Sequence, residues 1–513
     1  MAKSRDQANS EYLEVERKFE VFESTVSPSF EGLSSVSRVE RSPAQHLDAV
    51  YFDTPGHDLA AHHVTLRRRT GGTDAGWHLK LPAGPDARTE VRAPLGDESG
   101  DEGDANAVPE NLLDVVLAIV RDRPVVPVAH IATSRTVDVL YGPDGTALAE
   151  FCDDQVLAQV VARAEDQESE QRWREWELEL AGGGDRDLLD RLANRLLDAG
   201  AVVAGHGSKL ARVLDGPGTE DTEVTEDTEA PDEPSADPVH RAVAEQVEQL
   251  LVWDRAVRAD ADDSVHQMRV TTRKIRSLLQ SSEGAFGISE DAWILDELRQ
   301  LAAVLGLARD AEVLAERYER ALNELPRALV RGPVRQRLVD GANKHYQSGL
   351  RRSLIAMRSQ RYFRLLDALE GLVAAEPPQP QPGEELAPLT IGSAYKRVRK
   401  AAKAAAQAAD ADRDEALHRI RKGAKRLRYT AAATGDDKVS ERAKTIQTLL
   451  GDHQDSVVSR THLSHQAEAA HAAGEDTFTY GLLYQLEDNL ARRSREQLDG
   501  ALKKLDRSVR EAD

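Results

Sequence analysis

The chain of 513 residues contains a single cysteine, Cys152, which excludes an intramolecular disulfide and a zinc site built from several cysteines. No apolar run approaches the ~20 residues that a membrane-spanning helix needs. The N-terminal residues MAKSRDQANSEYLEVERK lack the apolar segment of a secretory signal. Aromatic residues make up only 4% of the chain. These absences argue against a membrane partner and favour a cytoplasmic protein.

Acidic residues outnumber basic ones, and the net charge of −22 argues against a general nucleic-acid binder. The charge is uneven: residues 1–214 have a net charge of −15 and residues 238–513 a net charge of +3. Between them, residues 215–237 carry ten acidic side chains and no basic one. Because this segment also has almost no large apolar side chain, it is predicted to be a disordered, self-repelling linker.

The spacing of apolar residues along the sequence changes at the same linker. Before the linker, apolar and polar residues alternate in several short segments, which predicts a mostly antiparallel β domain with helices at 109–121 and 185–199. After it, the composition is rich in Ala, Leu and Arg and is typical of helices. We therefore predict an N-terminal tail (1–10), a β domain (11–214), the acidic linker (215–237) and a helical domain with halves at about 238–375 and 389–513.

The predicted strands have one charged face with both signs and one apolar face. In EVERKFEV (14–21), Glu14, Glu16 and Lys18 share a face that Val15 and Phe19 oppose. One explanation is the solvated exterior of an antiparallel sheet. The other is a closed barrel with a polar lumen, in which carboxylates hold a hard divalent cation while Arg and Lys hold a polyanion.

The helical part contains an internal repeat. SVHQMRVTTRKIRSLL (264–279) parallels ALHRIRKGAKRLRYTA (416–431), and LGLARDAEVL (305–314) parallels LGDHQDSVVS (450–459). The repeat predicts a duplicated helical bundle with pseudo-twofold symmetry. Each half carries a basic stripe at helical spacing that begins with a histidine, and the two stripes together would line a groove for a long polyanion. A solvated basic face is the plainer alternative.

The β domain resembles the CYTH family of triphosphate tunnel metalloenzymes. The resemblance runs in order through EVERK (14–18), YFDTP (51–55), LRRR (66–69), WHLKLP (77–82), RTEVR (88–92), SRT (134–136), the pair at 153–154, WELEL (176–180) and SK (208–209). It implies an eight-stranded antiparallel barrel with a charged tunnel and with peripheral helices. It also implies a Mg²⁺ or Mn²⁺ cofactor and hydrolysis or cyclisation of triphosphate compounds.

Carried over motif by motif, the resemblance assigns roles to residues of the tunnel. The implied metal ligands are Glu14, Glu16, Asp153, Glu177 and Glu179, with Asp154 as a substitute for Asp153. The implied catalytic residues are Glu14, Glu16, Lys18, Glu177 and Glu179. The implied substrate ligands are Lys18, Arg67, Arg69, Lys80, Glu90, Arg92, Arg135 and Lys209.

The helical part resembles the CHAD family, through VHQMRVTTRKIRS, LGLARD, LHRIRKGAKRLRY and LGDHQD. That resemblance implies binding of inorganic polyphosphate and an association with polyphosphate granules. The implied ligands are His266, Arg269, Arg273, Arg276, Arg309, His418, Arg421, Lys425, Arg428 and His453.

The expected function is metal-dependent hydrolysis of inorganic triphosphate in the tunnel, coupled to polyphosphate binding by the helical domain. Adenylate cyclase or thiamine-triphosphatase activity in the same tunnel is the enzymatic alternative. A polyphosphate-granule adaptor that binds without catalysis is the non-enzymatic one. Nucleic-acid binding by the helical half is disfavoured, because its net charge is only +3 and it has few aromatic residues for base stacking.

Overall fold

The computed structural model describes residues 10–95, 107–161, 170–183, 185–215, 238–281, 286, 292–375, 391–409 and 412–512. The predicted linker lies outside the described residues except for Asp215, as do residues 376–388 and residues 1–9 of the predicted tail. The chain divides into two compact units. One comprises Met1–Ala236, Val247–Ser264 and Met357–Glu370, and the other comprises Asp237–Gln246, Val265–Ala356 and Gly371–Asp513. The domain boundaries drawn from the sequence stay predictions.

The first unit contains the predicted antiparallel barrel. Its strands are β1 (Ser10–Val21), β2 (Arg38–Arg41), β3 (Gln45–Asp53), β4 (Thr65–Thr70), β5 (Gly76–Pro82), β6 (Ala87–Ala93), β7 (Val126–Tyr141), β8 (Ala147–Val160), β9 (Glu170–Leu180) and β10 (Val202–Val203). Eight of them follow the order β1–β6–β5–β4–β3–β7–β8–β9, and β9 pairs with β1 to close the ring. The short strands β2 and β10 pair with β7 and β1 from outside this ring.

The apolar face of the barrel points outward and is covered by helices. The helices of this unit are α1 (Asp58–Ala61), α2 (Glu110–Val115), α3 (Leu117–Val120), α4 (Arg186–Asp198) and α5 (Lys209–Asp215). Trp77 and Trp176 lie in two separate buried clusters between the outer face and the helices, whereas Trp173 is on the lumen face of β9 and packs with α5. Fully burying one large apolar side chain contributes roughly 1.5–3 kcal/mol. The charged face is therefore the lumen, and the explanation as a solvated exterior is wrong.

Two helices were predicted in this unit, and one is confirmed closely. α4 begins after Asp185, whose side chain accepts a hydrogen bond from the Asp187 N–H, and the chain leaves it through Gly200 at φ +94°. The helix predicted at 109–121 is instead two short helices, because Val116 leaves helical geometry at φ −108° and ψ 12°.

Residues of the helical region belong to both units. Within the first unit, the buried guanidinium of Arg121 pairs with Asp367 and Glu370. In the same unit, the Arg258 guanidinium lies 2.5 Å from the Asp254 carboxylate and 3.2 Å from that of Asp114. The segments 247–264 and 357–370 therefore pack as part of the unit that contains the barrel.

The C-terminal region is all helical, as predicted. Its helices are α6 (Pro238–Arg258), α7 (Ser264–Ser281), α8 (Trp293–Glu324), α9 (Gly341–Met357), α10 (Gln360–Ala374), α11 (Ile391–Gln407), α12 (Arg413–Ala433), α13 (Asp437–Ala472) and α14 (Phe478–Ala512). A π-helical turn, Gln336–Asp340, precedes α9. Helices α11 to α14 share one apolar cluster, and α8 packs with α13 and α14 in another. The pseudo-twofold relation between the halves stays a prediction.

Candidate active site

Two neighbouring strands place carboxylates inside the barrel. β1 contributes Glu14 and Glu16, and β9 contributes Glu177 and Glu179, because every second side chain of a strand points to the same face. The antiparallel pairing sets Glu16 opposite Glu179, and Lys18 opposite Glu177. The structure thus brings together four of the carboxylates that the sequence predicts as metal ligands.

Two lysines lie among these carboxylates. The Lys18 ammonium is 3.0 Å from Glu16 and 2.8 Å from Glu177, and the Lys80 ammonium is 2.5 Å from Glu14. Burial disfavours the charged form of Glu16, but Lys18 and Lys80 outweigh it and lower the pKa of Glu16 to about 2. Glu16 is therefore ionised at neutral pH.

Arginines form another part of the lumen wall. Arg67 and Arg69 project from β4 and Arg135 from β7, and Arg67 donates to the Tyr51 hydroxyl at 3.3 Å. Burial and repulsion from Arg67 and Arg135 lower the pKa of Arg69 to about 9. Among the described residues, the buried Nε–H groups of Arg67 and Arg69 have no hydrogen-bond partner. Such donors and excess positive charge suit the oxygens of a polyanion.

One cavity of about 910 Å³ contains both groups of side chains. This volume falls in the range of roughly 300–1,000 Å³ that small-molecule sites occupy. Every tunnel residue predicted from the sequence, apart from Asp153, lines it: Glu14, Glu16, Lys18, Arg67, Arg69, Lys80, Glu90, Arg92, Arg135, Glu177, Glu179 and Lys209.

Asp153 is the exception because it lies on the other face of β8. Its carboxylate accepts hydrogen bonds from Arg174 Nε at 2.8 Å and from the Ser27 hydroxyl at 2.8 Å. The next residue, Asp154, is fully buried and accepts from Arg135 at 2.7 and 2.6 Å. Adjacent residues of a strand point to opposite faces. The prediction of Asp153 as a tunnel ligand is therefore wrong, and Asp154 is the member of the pair that faces the tunnel.

Among the described residues, one acidic group has the spacing of a metal site: Asp154, Glu175 and Glu177, with one oxygen of each within 4.8 Å of the others. The Lys209 ammonium already lies among them, 2.9 Å from Asp154, 2.6 Å from Glu175 and 2.7 Å from Glu177. Burial opposes the charge on Lys209, but these carboxylates raise its pKa well above the usual value. This triad therefore holds a lysine, and a cation there would meet its repulsion.

Lys18 and Lys80 contact Glu14, Glu16 and Glu177, but the neighbouring Glu179 adds negative charge that these lysines do not offset. Burial and the neighbouring Glu14 carboxylate raise the pKa of Glu179 to about 7, and Glu16 and Glu177 add to this effect. Excess negative charge at a set of oxygen ligands is what Mg²⁺ or Mn²⁺ would neutralise. The residues present thus fit a cation held by Glu14, Glu16, Glu177 and Glu179.

Sequence reasoning missed several lumen residues. Arg88 lies on the same face of β6 as Glu90, so the alternation in RTEVR was an available signal. Glu175 shares the face of Glu177 in the same way. Tyr51 begins the YFDTP motif, but that motif did not indicate that its hydroxyl faces the lumen.

Asp74 also enters the lumen, from the loop between β4 and β5. Its carboxylate accepts a hydrogen bond from Arg69, and its main-chain oxygen lies 2.9 Å from His78 Nε2. The other ring nitrogen of His78 lies 2.8 Å from a Glu90 oxygen. Asp74 thus takes up a hydrogen-bond donor of Arg69, which the sequence predicts as a phosphate ligand.

The second unit contains a separate cluster of cations. The two predicted basic stripes lie on α7 and α12, and they come together: burial and repulsion from Arg273 and Arg421 lower the pKa of Lys425 to about 8. Burial and Arg269 likewise lower the pKa of Arg273. We call this the helical cation cluster: Arg269, Arg273, Arg276, Arg421, Lys425 and Arg428.

The repeated segments LGLARD and LGDHQD each contain a glycine, Gly306 and Gly451, that packs against an arginine of this cluster. A Cβ added at Gly306 would lie 3.4 Å from Arg269 Nε, and one at Gly451 would lie 3.7 Å from an Arg421 guanidinium nitrogen. Arg269 Nε also donates to the Ala302 carbonyl at 3.3 Å. Each glycine leaves space for the arginine of its own half.

The other predicted polyphosphate ligands differ in accessibility. His266 and His418 are half-buried on the stripes, and Arg309 lies 2.8 Å from the Glu312 carboxylate. His453 is only 2% exposed, and its Nε2 is 3.0 Å from Asp414. A buried ring offers no surface to a long polyanion, so His453 is not a surface ligand and that prediction is wrong.

Two family models match the chain, one described as the CYTH domain over residues 13–212 and one as the CHAD domain over residues 241–464. A Mycobacterium tuberculosis H37Rv protein, Uncharacterized protein Rv2226, is 67% identical over 516 residues, and the alignment covers 98% of each chain. The chain belongs to the CYTH and CHAD families. The barrel is its CYTH part, and the helical region contains its CHAD part.

Solved structures resemble each part separately. The CHAD domain from the plant Ricinus communis is 23% identical, with a TM-score of 0.39, covering 52% of this chain and 90% of that chain. A putative adenylate cyclase from Bacillus halodurans is 17% identical, with a TM-score of 0.26, covering 39% of this chain and 96% of that chain. Within the described residues, none of the helices combines the length and apolar character needed to cross a bilayer.

Proposed function

We propose that the CYTH barrel hydrolyses inorganic triphosphate with a divalent metal and that the CHAD region binds inorganic polyphosphate. The observation that carries the first part is the composition of the tunnel wall. Arginines with unbonded N–H groups and a set of glutamates line one cavity of about 910 Å³. A tunnel wall with both positively and negatively charged side chains suits a polyanion that binds together with a cation.

The cationic side chains have distinct tasks in this proposal. Arg67, Arg69 and Arg135 bind phosphate oxygens and stabilise the charge that develops on the leaving phosphate. Lys80 contacts Glu14 at 2.5 Å and lines the same cavity, so it would bind phosphate beside that carboxylate. Lys209 is held by three carboxylates, so it orients Glu177 rather than binding phosphate directly.

Glu14, Glu16, Glu177 and Glu179 would hold the metal. Mg²⁺ or Mn²⁺, when bound, neutralises phosphate charge and activates a water for attack on phosphorus. Because these glutamates and the arginines line one cavity, the metal and the arginines would contact the same chain of phosphates.

The lining favours an inorganic substrate over a nucleotide or a thiamine compound. Among the described lining residues, the aromatic ones are Tyr12 and Tyr51. The Arg92 guanidinium covers the Tyr12 ring at 5.0 Å, and Arg67 donates to Tyr51. Because Tyr51 is only 3% exposed and Arg92 lies over one face of Tyr12, the lining offers a purine or thiazolium ring little aromatic surface for stacking.

Phosphate-release assays on the full-length protein test this function. Triphosphate, ATP, thiamine triphosphate and long-chain polyphosphate are compared with Mg²⁺, with Mn²⁺ and with a chelator. We expect metal-dependent release from triphosphate to be the fastest. Preferred cleavage of ATP or thiamine triphosphate would favour the enzymatic alternatives, and polyphosphate binding without any turnover would favour an adaptor.

Imaging of a tagged chain beside stained granules tests a cytoplasmic, granule-associated location.

Asp74→Asn is expected to lower the KM for triphosphate by roughly 3- to 10-fold, the equivalent of about 0.7–1.4 kcal/mol. The change frees Arg69 from a competing carboxylate but keeps the main-chain oxygen that lies near His78. Steady-state kinetics measure the effect. Asp190→Asn is the matched control, because Asp190 pairs with Arg17 at 3.1 Å and does not line the tunnel. An unchanged or higher KM in Asp74→Asn would contradict competition at Arg69.

Polyphosphate affinity of the CHAD region is expected to fall about tenfold between pH 7 and pH 9.5 at constant ionic strength. The pKa of Lys425 is about 8 in the free protein, because burial and surrounding arginines disfavour its charge. A bound polyanion offsets that repulsion and raises this pKa, so binding is strongest where Lys425 is protonated and weakens as pH rises. Burial lowers the pKa of His418 from 6.5, so its titration lies below this interval.

Binding titrations of full-length protein with long-chain polyphosphate measure this dependence. Lys425→Arg keeps the charge and is expected to flatten the curve above pH 7.5. Equal slopes in the wild type and in Lys425→Arg would show that Lys425 does not contact or sense the ligand.

A further inference from the structure

A second cavity of about 360 Å³ lies behind the tunnel, in the same compact unit. It shares four lining residues with the main cavity: Glu16, Lys18, Arg88 and Gly207. Its remaining wall includes His63, His206 and the ion pair between Arg17 and Asp86, which are 2.7 Å apart. The two spaces are therefore neighbours that meet beside Glu16 and Lys18.

Arg88 lies at the place where the two cavities meet. Its guanidinium donates to the His63 carbonyl at 3.2 Å and to the Gly207 carbonyl at 2.7 Å. Its Nε is 3.7 Å from the Glu16 carboxylate. One side chain thus joins β6 to two separate loops and stands beside a proposed metal ligand.

Gly207 packs closely against the Arg88 guanidinium. A Cβ there would lie 3.0 Å from an Arg88 guanidinium nitrogen, closer than ordinary van der Waals contact. The loop that contains Gly207 leads into α5 and Lys209, which the three tunnel carboxylates hold. The loop is therefore anchored through Lys209. Rotation of the Arg88 side chain alone would break its hydrogen bonds to the His63 and Gly207 carbonyls.

The chemistry of the second cavity suits the same kind of ligand as the tunnel. Lys18 and Arg88 border it together with Glu16, and His63 and His206 add imidazole rings, although His206 Nδ1 already lies 3.2 Å from the Asp215 carboxylate. The Arg17–Asp86 pair contributes no net charge. This wall is weakly cationic, so it would accept further phosphates of a chain without holding them as firmly as the arginines of the tunnel.

We propose that the second cavity is an extension subsite for linear polyphosphates longer than triphosphate, and that Arg88 controls access to it. The inference rests on the proposed triphosphatase function and adds chain length as its specificity. With Arg88 bonded to both carbonyls, its side chain stands between the two cavities. With Arg88 removed, a longer chain continues past Glu16 into the second cavity.

The test compares triphosphate with tetraphosphate as substrates of the full-length protein. Arg88→Ala is expected to raise the ratio of kcat/KM for tetraphosphate to that for triphosphate by at least about tenfold, and Arg88→Lys by less. Arg92→Ala is the matched control: Arg92 lies on the same face of the same strand, but lines only the main cavity. It is expected to change both substrates equally. The helical region is identical in every variant, so its own binding cancels.

An unchanged ratio in Arg88→Ala, or the same change in Arg92→Ala, would overturn the inference. Failure of the wild type to cleave triphosphate would instead overturn the proposed function. In that case the ratio of tetraphosphate to triphosphate affinities, measured by calorimetry in the same variants, decides the role of the second cavity. Circular dichroism and melting curves check that Arg88→Ala keeps its fold.

Discussion

Glu16→Gln is expected to reduce triphosphate hydrolysis by the full-length protein at least about 100-fold, because it removes one charge from an all-oxygen metal site. The effect on folding should be small. Lys18 keeps Glu177 at 2.8 Å, and Lys80 keeps Glu14 at 2.5 Å, so neither lysine is left without a carboxylate. Hydrolysis at saturating Mg²⁺ and calorimetric metal binding measure the two consequences.

Glu20→Gln is the matched control for this change. Glu20 lies on the same strand and the same face, but it pairs with Arg212 at 3.4 Å and is not part of the tunnel lining. Its variant should hydrolyse triphosphate at the wild-type rate. A wild-type rate in Glu16→Gln would show that Glu16 does not bind the metal.

Glu177→Gln would be a less direct test. Lys18, Lys209 and Arg135 all contact Glu177, and together they outweigh its burial and hold its pKa well below the usual range. Its replacement therefore removes a partner from three buried cations at once. We expect loss of activity and loss of stability together, which a melting curve would reveal.

Charge reversal of Arg269 together with Arg421 is expected to weaken polyphosphate binding by the CHAD region at least about 100-fold at low salt. The two arginines belong to different stripes of the helical cation cluster, so the double change removes contacts on both sides. It also relieves repulsion within the cluster, since both arginines lower the pKa of Lys425. The fold is therefore expected to tolerate it.

The same charge change at Arg492 and Arg493 is the control. Both are exposed on α14, and Arg492 pairs with Asp488 at 3.0 Å. Titrations with long-chain polyphosphate at several salt concentrations compare the two double variants. We expect a steep salt dependence in the wild type and in the control, and a shallower one after reversal of Arg269 and Arg421. Equal losses in both would mean that the attraction is diffuse.

The sequence alone determined which side chains share a face. Alternation in EVERKFEV and WELEL grouped Glu14 with Glu16 and Glu177 with Glu179, because a strand has a period of two whatever its neighbours are. Helical spacing grouped Arg269 with Arg273 for the same kind of local reason. The family motifs then indicated that the charged faces form a tunnel.

Tertiary structure decided what those faces meet. The pairing of β8 with β7 and β9 put Asp154 in the tunnel and Asp153 beside Arg174, a choice of register that two adjacent aspartates cannot reveal. Long-range folding placed Lys209 among three carboxylates and Asp74 on Arg69. It also brought Arg88 against Gly207, 119 residues away in sequence. Local periodicity carries no information about such contacts, because they depend on strands and loops that approach each other only when the barrel closes.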